Sequence, residues 1–300
     1  MTAPIRFDNR VVVVTGAGNG LGRAYALEFA RRGASVVVND LGAFVTGEAS
    51  NHCFADQVVA EIRAFGGEAV ACYQSVVDGD QVVQTALDNY DRIDVLVNNA
   101  GNLRDGSFAK MDDTDWQAVM DVHIHGVYKA CHHAWQEMRA QGYGRIVNTS
   151  SAMGLYGNFG QANYSCATAA ILGLTQTLAL EGKKYNICVN AIAPVSTSRM
   201  TKNLLPDNFK TALVPEAVAP LVIKLCSESN QETGSCFEAG GGWISKLRWQ
   251  RSSGSVMPAG FAAENVEQQW QQICDFTHAD HPASIEDTFA AMSQKLGIEF

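Results

Sequence analysis

The run Val11-Val-Val-Val-Thr15-Gly16-Ala-Gly18-Asn-Gly20-Leu21-Gly22 leaves this chain few ways to fold. Four consecutive valines suit a strand buried on both faces, as a parallel sheet requires. Glycines follow at once, and then an amphipathic run from Leu21 to Arg32. The order is strand, tight turn, helix. Glycine lets such a turn adopt positive φ and lets a ligand approach bare main chain. The helix start aims free N–H groups and a positive dipole end at whatever occupies the turn. A pyrophosphate fits that description. The spacing is G-x-x-x-G-x-G through Gly16, Gly20 and Gly22, not G-x-G-x-x-G. Taken alone it also suits an ordinary glycine-rich βα turn.

Strand-like runs recur near 11–15, 35–39, 69–73, 93–98, 145–149, 187–193 and 235–239, with helical patterns between them. That alternation predicts an α/β fold: a doubly wound, seven-stranded parallel sheet with helices on both faces. The sheet domain is expected over 1–255 and a small helical C-terminal extension, a linker toward a possible following domain, over 256–300. With 300 residues, 47% of them hydrophobic, one large core can be filled. The net charge of −9 argues against a nucleic-acid partner, and no apolar run reaches the roughly eighteen residues of a membrane span. Eight cysteines without a C-x-x-C pair read as mostly buried, reduced thiols.

Ser35-Val-Val-Val-Asn39-Asp40 is the second strand, with Asp40 at its carboxyl end. A carboxylate there accepts ribose hydroxyls and repels a 2′-phosphate. No lysine or arginine follows before Arg63, so NAD is expected over NADP. The polar loop from Leu41 to about Asn51 is long for a βα connection. Ser75 and Val76 end the third strand, beside the expected adenine. Asp94 to Gly101 reads D-V-L-V-N-N-A-G: Asn98 and Asn99 need bonded amides there, and Ala100 and Gly101 leave room for a cofactor.

Asp112 to Gln141 reads as one long helical stretch and holds His123, His125, His132 and His133. Their spacing puts them on different faces with no converging thiolate or carboxylate, so no metal is expected. Arg145-Ile-Val-Asn-Thr-Ser150-Ser151 is the next strand, ending in hydroxyls. Tyr164 follows thirteen residues after Ser151, early in a helical run from Asn163 to Glu181. Ser151 and Tyr164 can converge above a nicotinamide. Asn190-Ala-Ile-Ala-Pro194 is a further strand, and Val195-Ser196-Thr197-Ser198-Arg199 follows on the same rim.

T-G-x-x-x-G-x-G at Thr15–Gly22, N-N-A-G at Asn98–Gly101, Ser151 with Tyr164, and N-A-I-A-P at Asn190–Pro194 together resemble the short-chain dehydrogenase/reductases. A narrower resemblance covers almost the whole chain. Val38–Gly42, Tyr143–Val147, Gly154–Ser165 and Gly241–Trp249 are similar to the (3R)-hydroxyacyl-CoA dehydrogenase units of peroxisomal multifunctional enzymes of fatty-acid β-oxidation. Ile273–Phe276 and Ser284–Asp287 resemble their C-terminal extension, with a capping box at Ser284 and Asp287.

The resemblance implies NAD bound by Gly16, Asn19, Gly20, Leu21, Gly22, Asp40, Ser75, Val76, Asn99, Ala100, Gly101, Tyr164, Pro194, Ser196, Thr197 and Arg199. It implies Tyr164 as general base, Ser151 holding the substrate oxygen, and His123 where many relatives carry the asparagine of a proton relay. It also implies an acyl-CoA substrate, a peroxisomal location, a homodimer and a covalently linked enoyl-CoA hydratase domain. Gly-Ile-Glu-Phe300 carries no peroxisomal address, which a following domain would explain. Arg199 and Lys202, or the Lys246–Arg251 strip, are candidates for meeting CoA, and ordinary solvated surface is an equal reading for each.

One position departs from the family pattern Tyr-x-x-x-Lys, because the chain reads Tyr164-Ser-Cys-Ala-Thr168. Residues four apart share a helix face. A lysine there would bond the nicotinamide ribose and lower the tyrosine pKa from near 10. Thr168 is neutral and short, so turnover is expected to fall by about 10²–10⁴-fold. Two histories fit: a deliberate one-residue knock-out of a working enzyme, or a naturally silent copy. The alternative reading is a catalytically silent NAD- or acyl-CoA-binding module with a docking role. An NADPH-dependent reductase is a third, opposed by Asp40.

Overall fold

The computed structural model describes residues 3–42, 53–197 and 211–298. Strands β1 (Val11–Thr15), β2 (Ser35–Asn39), β3 (Glu68–Cys72), β4 (Val95–Asn98), β5 (Gly144–Thr149), β6 (Ile187–Pro194), β7 (Cys236–Gly240) and β8 (Trp243–Leu247) form one sheet in the order 3-2-1-4-5-6-7-8. The first seven pair in parallel. The seven-stranded expectation is therefore corrected to eight strands. β8 follows β7 after Gly241-Gly242 alone, and so short a link joins only antiparallel neighbours. The strip read as surface at the start of 246–251 thus begins inside an edge strand.

The valines of β1 show why the sheet must be covered twice. Val12 and Val14 join a core with helices α1 (Gly20–Arg31) and α2 (Cys53–Ala64), and Val11 and Val13 join the core on the opposite face. That second core contains α3 (Gly79–Tyr90) and residues of the 112–141 stretch. The latter is not one regular helix. α4 (Asp113–Met120) passes into a π-helical segment, Asp121–Gly126, and then α5 (Val127–Gln141). A π segment widens the backbone by one residue per turn, and such segments concentrate at functional sites.

Among the described residues the later helices include α6 (Ala152–Tyr156), α7 (Ala162–Gly182), α8 (Ala219–Cys226), α9 (Ala263–Ile273) and α10 (Ile285–Leu296). Both adjoining strands of the β1–β4 pair send their connections to opposite sides, so a crevice opens at their carboxyl ends.

Two charged residues fasten the far, amino-terminal end of the sheet. The buried Asp94 carboxylate accepts from Val11 N–H at 2.9 Å, Arg10 at 2.8 Å and Arg92 at 2.7 Å. Arg145 is fully buried and, among the described residues, has no carboxylate partner; it donates to the carbonyls of Gly144, Asn186, Ser227 and Glu228 and lies over the Tyr143 ring.

The chain divides into two compact units, Met1–Lys246 and Leu247–Phe300. In the second, Arg251 pairs with Asp280 through main chain and side chain. The capping box opens α10 as the sequence predicts: Ser284 Oγ accepts Asp287 N–H at 3.2 Å and Asp287 Oδ2 accepts Ser284 N–H at 2.9 Å. Among the described residues no helix is long and apolar enough to cross a membrane. Of the described cysteines, all unpaired, three are buried while Cys166 and Cys274 are exposed, so the expectation of buried thiols holds only in part.

Candidate functional site

The glycine turn is packed too closely for any side chain. Gly16 has φ +63°, and a Cβ on it would fall 2.8 Å from Ala100 Cα. A Cβ on Gly22 would fall 2.3 Å from Gly16 O and 2.6 Å from Asn99 Nδ2. Asn19 caps α1, but its side chain accepts only Gly20 N–H, at 2.6 Å. The N–H groups of Leu21 and Gly22, in the first turn, have no carbonyl four residues back within the helix. They are the groups an anion at this end would meet.

The neighbouring strand ends hold the turn in place. Asn99 Nδ2 donates to Thr15 O at 2.9 Å and to Gly16 O at 3.2 Å. Thr15 Oγ1 accepts Asn99 N–H at 2.9 Å and Ala100 N–H at 3.0 Å. Asp40, nearly buried, accepts Gly18 N–H at 2.8 Å and Gly42 N–H at 2.7 Å. Each carboxylate oxygen keeps acceptor capacity for a ribose hydroxyl. A Cβ at Gly18 would fall 2.6 Å from Asp40 Oδ2, so glycine brings main chain against the carboxylate. Ser75 caps a short 3₁₀ turn that begins at Val76, and Val76 O closes against Gly126 in the π segment. This cradle of bare amides, with a carboxylate at its side, fits a dinucleotide.

Ser151, Tyr164 and His123 come together on the same rim. Ser151 caps α6 with its Oγ accepting Met153 N–H at 3.3 Å. Tyr164 lies in the first turn of α7, where Asn163 is pinned to Arg104 O at 2.9 Å. Burial pushes the Tyr164 phenol above its usual pKa; a hydrogen bond with Ser151 opposes that, and nearby Asp105 adds to it. His123 meets the Tyr164 ring edge-on, centroids 5.2 Å apart. Its Nε2 lies 3.1 Å from both N–H and C=O of Asn102. Burial holds the imidazole below its usual pKa, partly offset by that backbone contact, so the ring is neutral at pH 7. Gly101 makes room for it: a Cβ there would fall 2.7 Å from the ring.

Thr168 lies one turn further along the same helix, and its hydroxyl bonds main chain. Its side chain is buried, and Oγ1 donates to Tyr164 O at 2.7 Å. The hydroxyl is spent on its own helix, and no cationic side chain replaces lysine from this position. Pro194 ends β6, Val195 N–H donates to Ala239 O, and Thr197 N–H donates to Leu213 O, which carries buried Ser196 along the rim. Arg199 and Lys202, and most of the loop after Asp40, lie outside the described residues. Among the described residues no three His, Cys, Asp or Glu side chains converge in a metal-holding group.

Sequence reasoning missed a polar chain beneath the site. Asn98 Nδ2 donates to Asn148 Oδ1 at 2.9 Å, and Asn148 Nδ2 donates to Thr175 Oγ1 at 3.0 Å. All three are buried. The signal was present: Asn148 interrupts an apolar strand and is in register with Asn98.

Residues 10–208 match the short chain dehydrogenase family. The chain is 53% identical to peroxisomal multifunctional enzyme type 2 of Mus musculus, across 99% of this chain and 41% of that protein. A short-chain type dehydrogenase/reductase of Mycobacterium tuberculosis is 46% identical across 91% of this chain and 96% of its own length. The solved structure of full-length peroxisomal multifunctional enzyme type 2 from Drosophila melanogaster superposes with a TM-score of 0.85 at 41% identity, covering 98% of this chain and 50% of that one. The chain thus spans half or less of both multifunctional relatives. A match across residues 10–208, on a sheet of this order with this glycine turn, means that the chain belongs to the short chain dehydrogenase family.

Proposed function

We propose that this chain oxidises (3R)-3-hydroxyacyl-CoA to 3-ketoacyl-CoA with NAD, in peroxisomal fatty-acid β-oxidation, at a rate strongly reduced by Thr168. The observation that carries the reading is the meeting of Ser151, Tyr164 and His123 beside the glycine turn. The dinucleotide would be held by Gly16, Asn19, Gly20, Leu21 and Gly22, with Asp40 on the adenosine ribose, Ser75 and Val76 near the adenine, and Asn99, Ala100, Gly101, Pro194, Ser196, Thr197 and Arg199 toward the nicotinamide. Asp40 supports NAD over NADP, since a 2′-phosphate would meet its carboxylate.

The bound nicotinamide supplies the hydride acceptor for C3 of the substrate. The protein's part is the proton. Ser151 Oγ donates to the 3-oxygen and fixes it, and Tyr164 as phenolate takes the hydroxyl proton while the C3–H pair departs as hydride. His123, neutral and bonded to Asn102, hands that proton onward. Without a lysine the phenolate is scarce at neutral pH, so the oxidation runs slowly. A homodimer, a peroxisomal location and a linked hydratase domain belong to the same reading; the relatives' names, peroxisomal and multifunctional, support the location and a further domain, and the homodimer rests on the family resemblance alone.

NADH formation from (3R)- but not (3S)-hydroxyacyl-CoA, rising steeply with pH, is the expected result. Binding of NAD without turnover at any pH would favour the silent-module reading, which the spent Thr168 hydroxyl also suits.

A further inference from the structure

The reading above gives the substrate a fatty acyl chain but no surface for it to lie on, and this inference rests on that reading. The loop after β4 and the segment after β5 frame the corner outside Ser151 and Tyr164. They are stitched together: Gly106 N–H donates to Gly160 O at 2.9 Å, and Gln161 Nε2 donates to Asp105 Oδ2 at 3.0 Å. Each presents aromatic surface to solvent. Phe159, one residue from Gly160, is 91% exposed, and Phe108, two residues from Gly106, is 77% exposed. Tyr156, which ends α6, is 69% exposed, and its hydroxyl donates to Glu238 Oε2 at 3.0 Å.

Phe159 does not sit on a loose tip. Its turn is bounded by Gly157 at φ +75° and Gly160 at φ +78°, and Asn158 Nδ2 donates to Gln161 Oε1 at 2.8 Å across it. A backbone built this closely around an exposed phenyl ring presents the ring rather than merely failing to bury it. Apolar side chains of this size usually lie inside, and clustered exceptions mark binding surfaces. Phe159 lies five residues before Tyr164, and Tyr156 ends the helix that Ser151 caps. An alkyl chain leaving a 3-oxygen held by Ser151 toward these segments would run along this surface.

We infer that Phe159, with Phe108 and Tyr156, is the platform for the acyl chain of the substrate, so that these rings set its chain-length preference. The slow turnover expected with Thr168 allows this to be read as equilibrium binding.

Calorimetry with NAD⁺ present, comparing (3R)-hydroxypalmitoyl-CoA with (3R)-hydroxybutyryl-CoA, tests it. Phe159→Ser should weaken the palmitoyl ligand about tenfold and leave the butyryl ligand within about twofold. Phe159→Leu, which keeps apolar surface, should retain most of the preference. Equal losses for both ligands, or no loss for either, overturns the platform while leaving the dehydrogenase reading intact. A Phe159→Ser protein that changes oligomeric state in sedimentation, with unchanged chain-length preference, shows that a second copy occupies the patch and also overturns it. No binding of either acyl-CoA to the unaltered chain sinks the functional reading itself.

Discussion

Replacing Thr168 with lysine puts a cation one helical turn from Tyr164, and its effect can be worked out in advance. Side chains four apart on a helix have Cβ atoms about 5–6 Å apart. An ammonium about 5 Å from a phenolate, at an effective dielectric near 20, stabilises it by about 3 kcal/mol. That is roughly two pK units. In the present chain burial pushes the phenol up rather than down, so its base form is scarce below about pH 10. Thr168→Lys should therefore raise kcat/KM for (3R)-hydroxyacyl-CoA oxidation about 10²-fold at about pH 7. In the unaltered chain the logarithm of the rate should climb with pH at unit slope into the alkaline range. The lysine variant should level off roughly two units earlier. Thr168→Met, bulky but neutral, separates charge from packing and should give no gain. NADH absorbance across a pH series measures all three. A lysine variant no faster than the methionine variant, or a flat profile in the unaltered chain, would refute the assignment of Tyr164 as the base.

Other perturbations have expected outcomes of their own. Gly22→Ala would place a methyl 2.3 Å from Gly16 O, so NAD binding measured by calorimetry should fall at least tenfold while circular dichroism still reports a folded chain. Asp40→Ser should narrow the NAD over NADP affinity ratio by about 10-fold, read from the two dissociation constants. Asp94→Ala leaves Arg10, Arg92 and Val11 N–H without their acceptor, a loss of about 3 kcal/mol and roughly 10 °C in Tm by calorimetric melting. His123 has a folded pKa below its unfolded value, so it contributes stability that is present above about pH 6.5 and lost as pH falls through the folded pKa. His123→Asn should thus lose less Tm than the unaltered chain between about pH 7 and pH 5.

The sheet could be read from the chain because its signals are local. Valine runs such as Val11–Val14 and Val36–Val38 are buried on both faces, and nothing but a doubly covered sheet accepts them. The eighth strand escaped notice because Trp243–Leu247 is an edge strand with exposed side chains and carries no buried run. The π segment escaped for a different reason. Asp121–Gly126 has the composition of a helix, and the extra residue per turn shows only once Gly126 meets Val76 O across the chain. The places of Gly16, Asp40, Ser151 and Tyr164 were legible because each follows or opens a strand or helix whose local signal is strong. The link from Asn148 to Thr175 crosses twenty-seven residues and exists only in the folded core.

That link has a consequence for how Ser151 and Tyr164 keep station. Methyl groups slide past one another at little loss, so apolar packing alone would let α7 drift along β5 by fractions of a turn. An amide bond tolerates no such drift. Asn148 sits three residues upstream of Ser151, and Thr175 eleven residues beyond Tyr164, so the pair indexes strand against helix from below. A slip by one position would strand both partners in the dry interior at about 1–3 kcal/mol each. Thr168 stands one helical turn from Tyr164 on a helix held by this vernier, and a site machined to that tolerance is one from which a single introduced side chain could act.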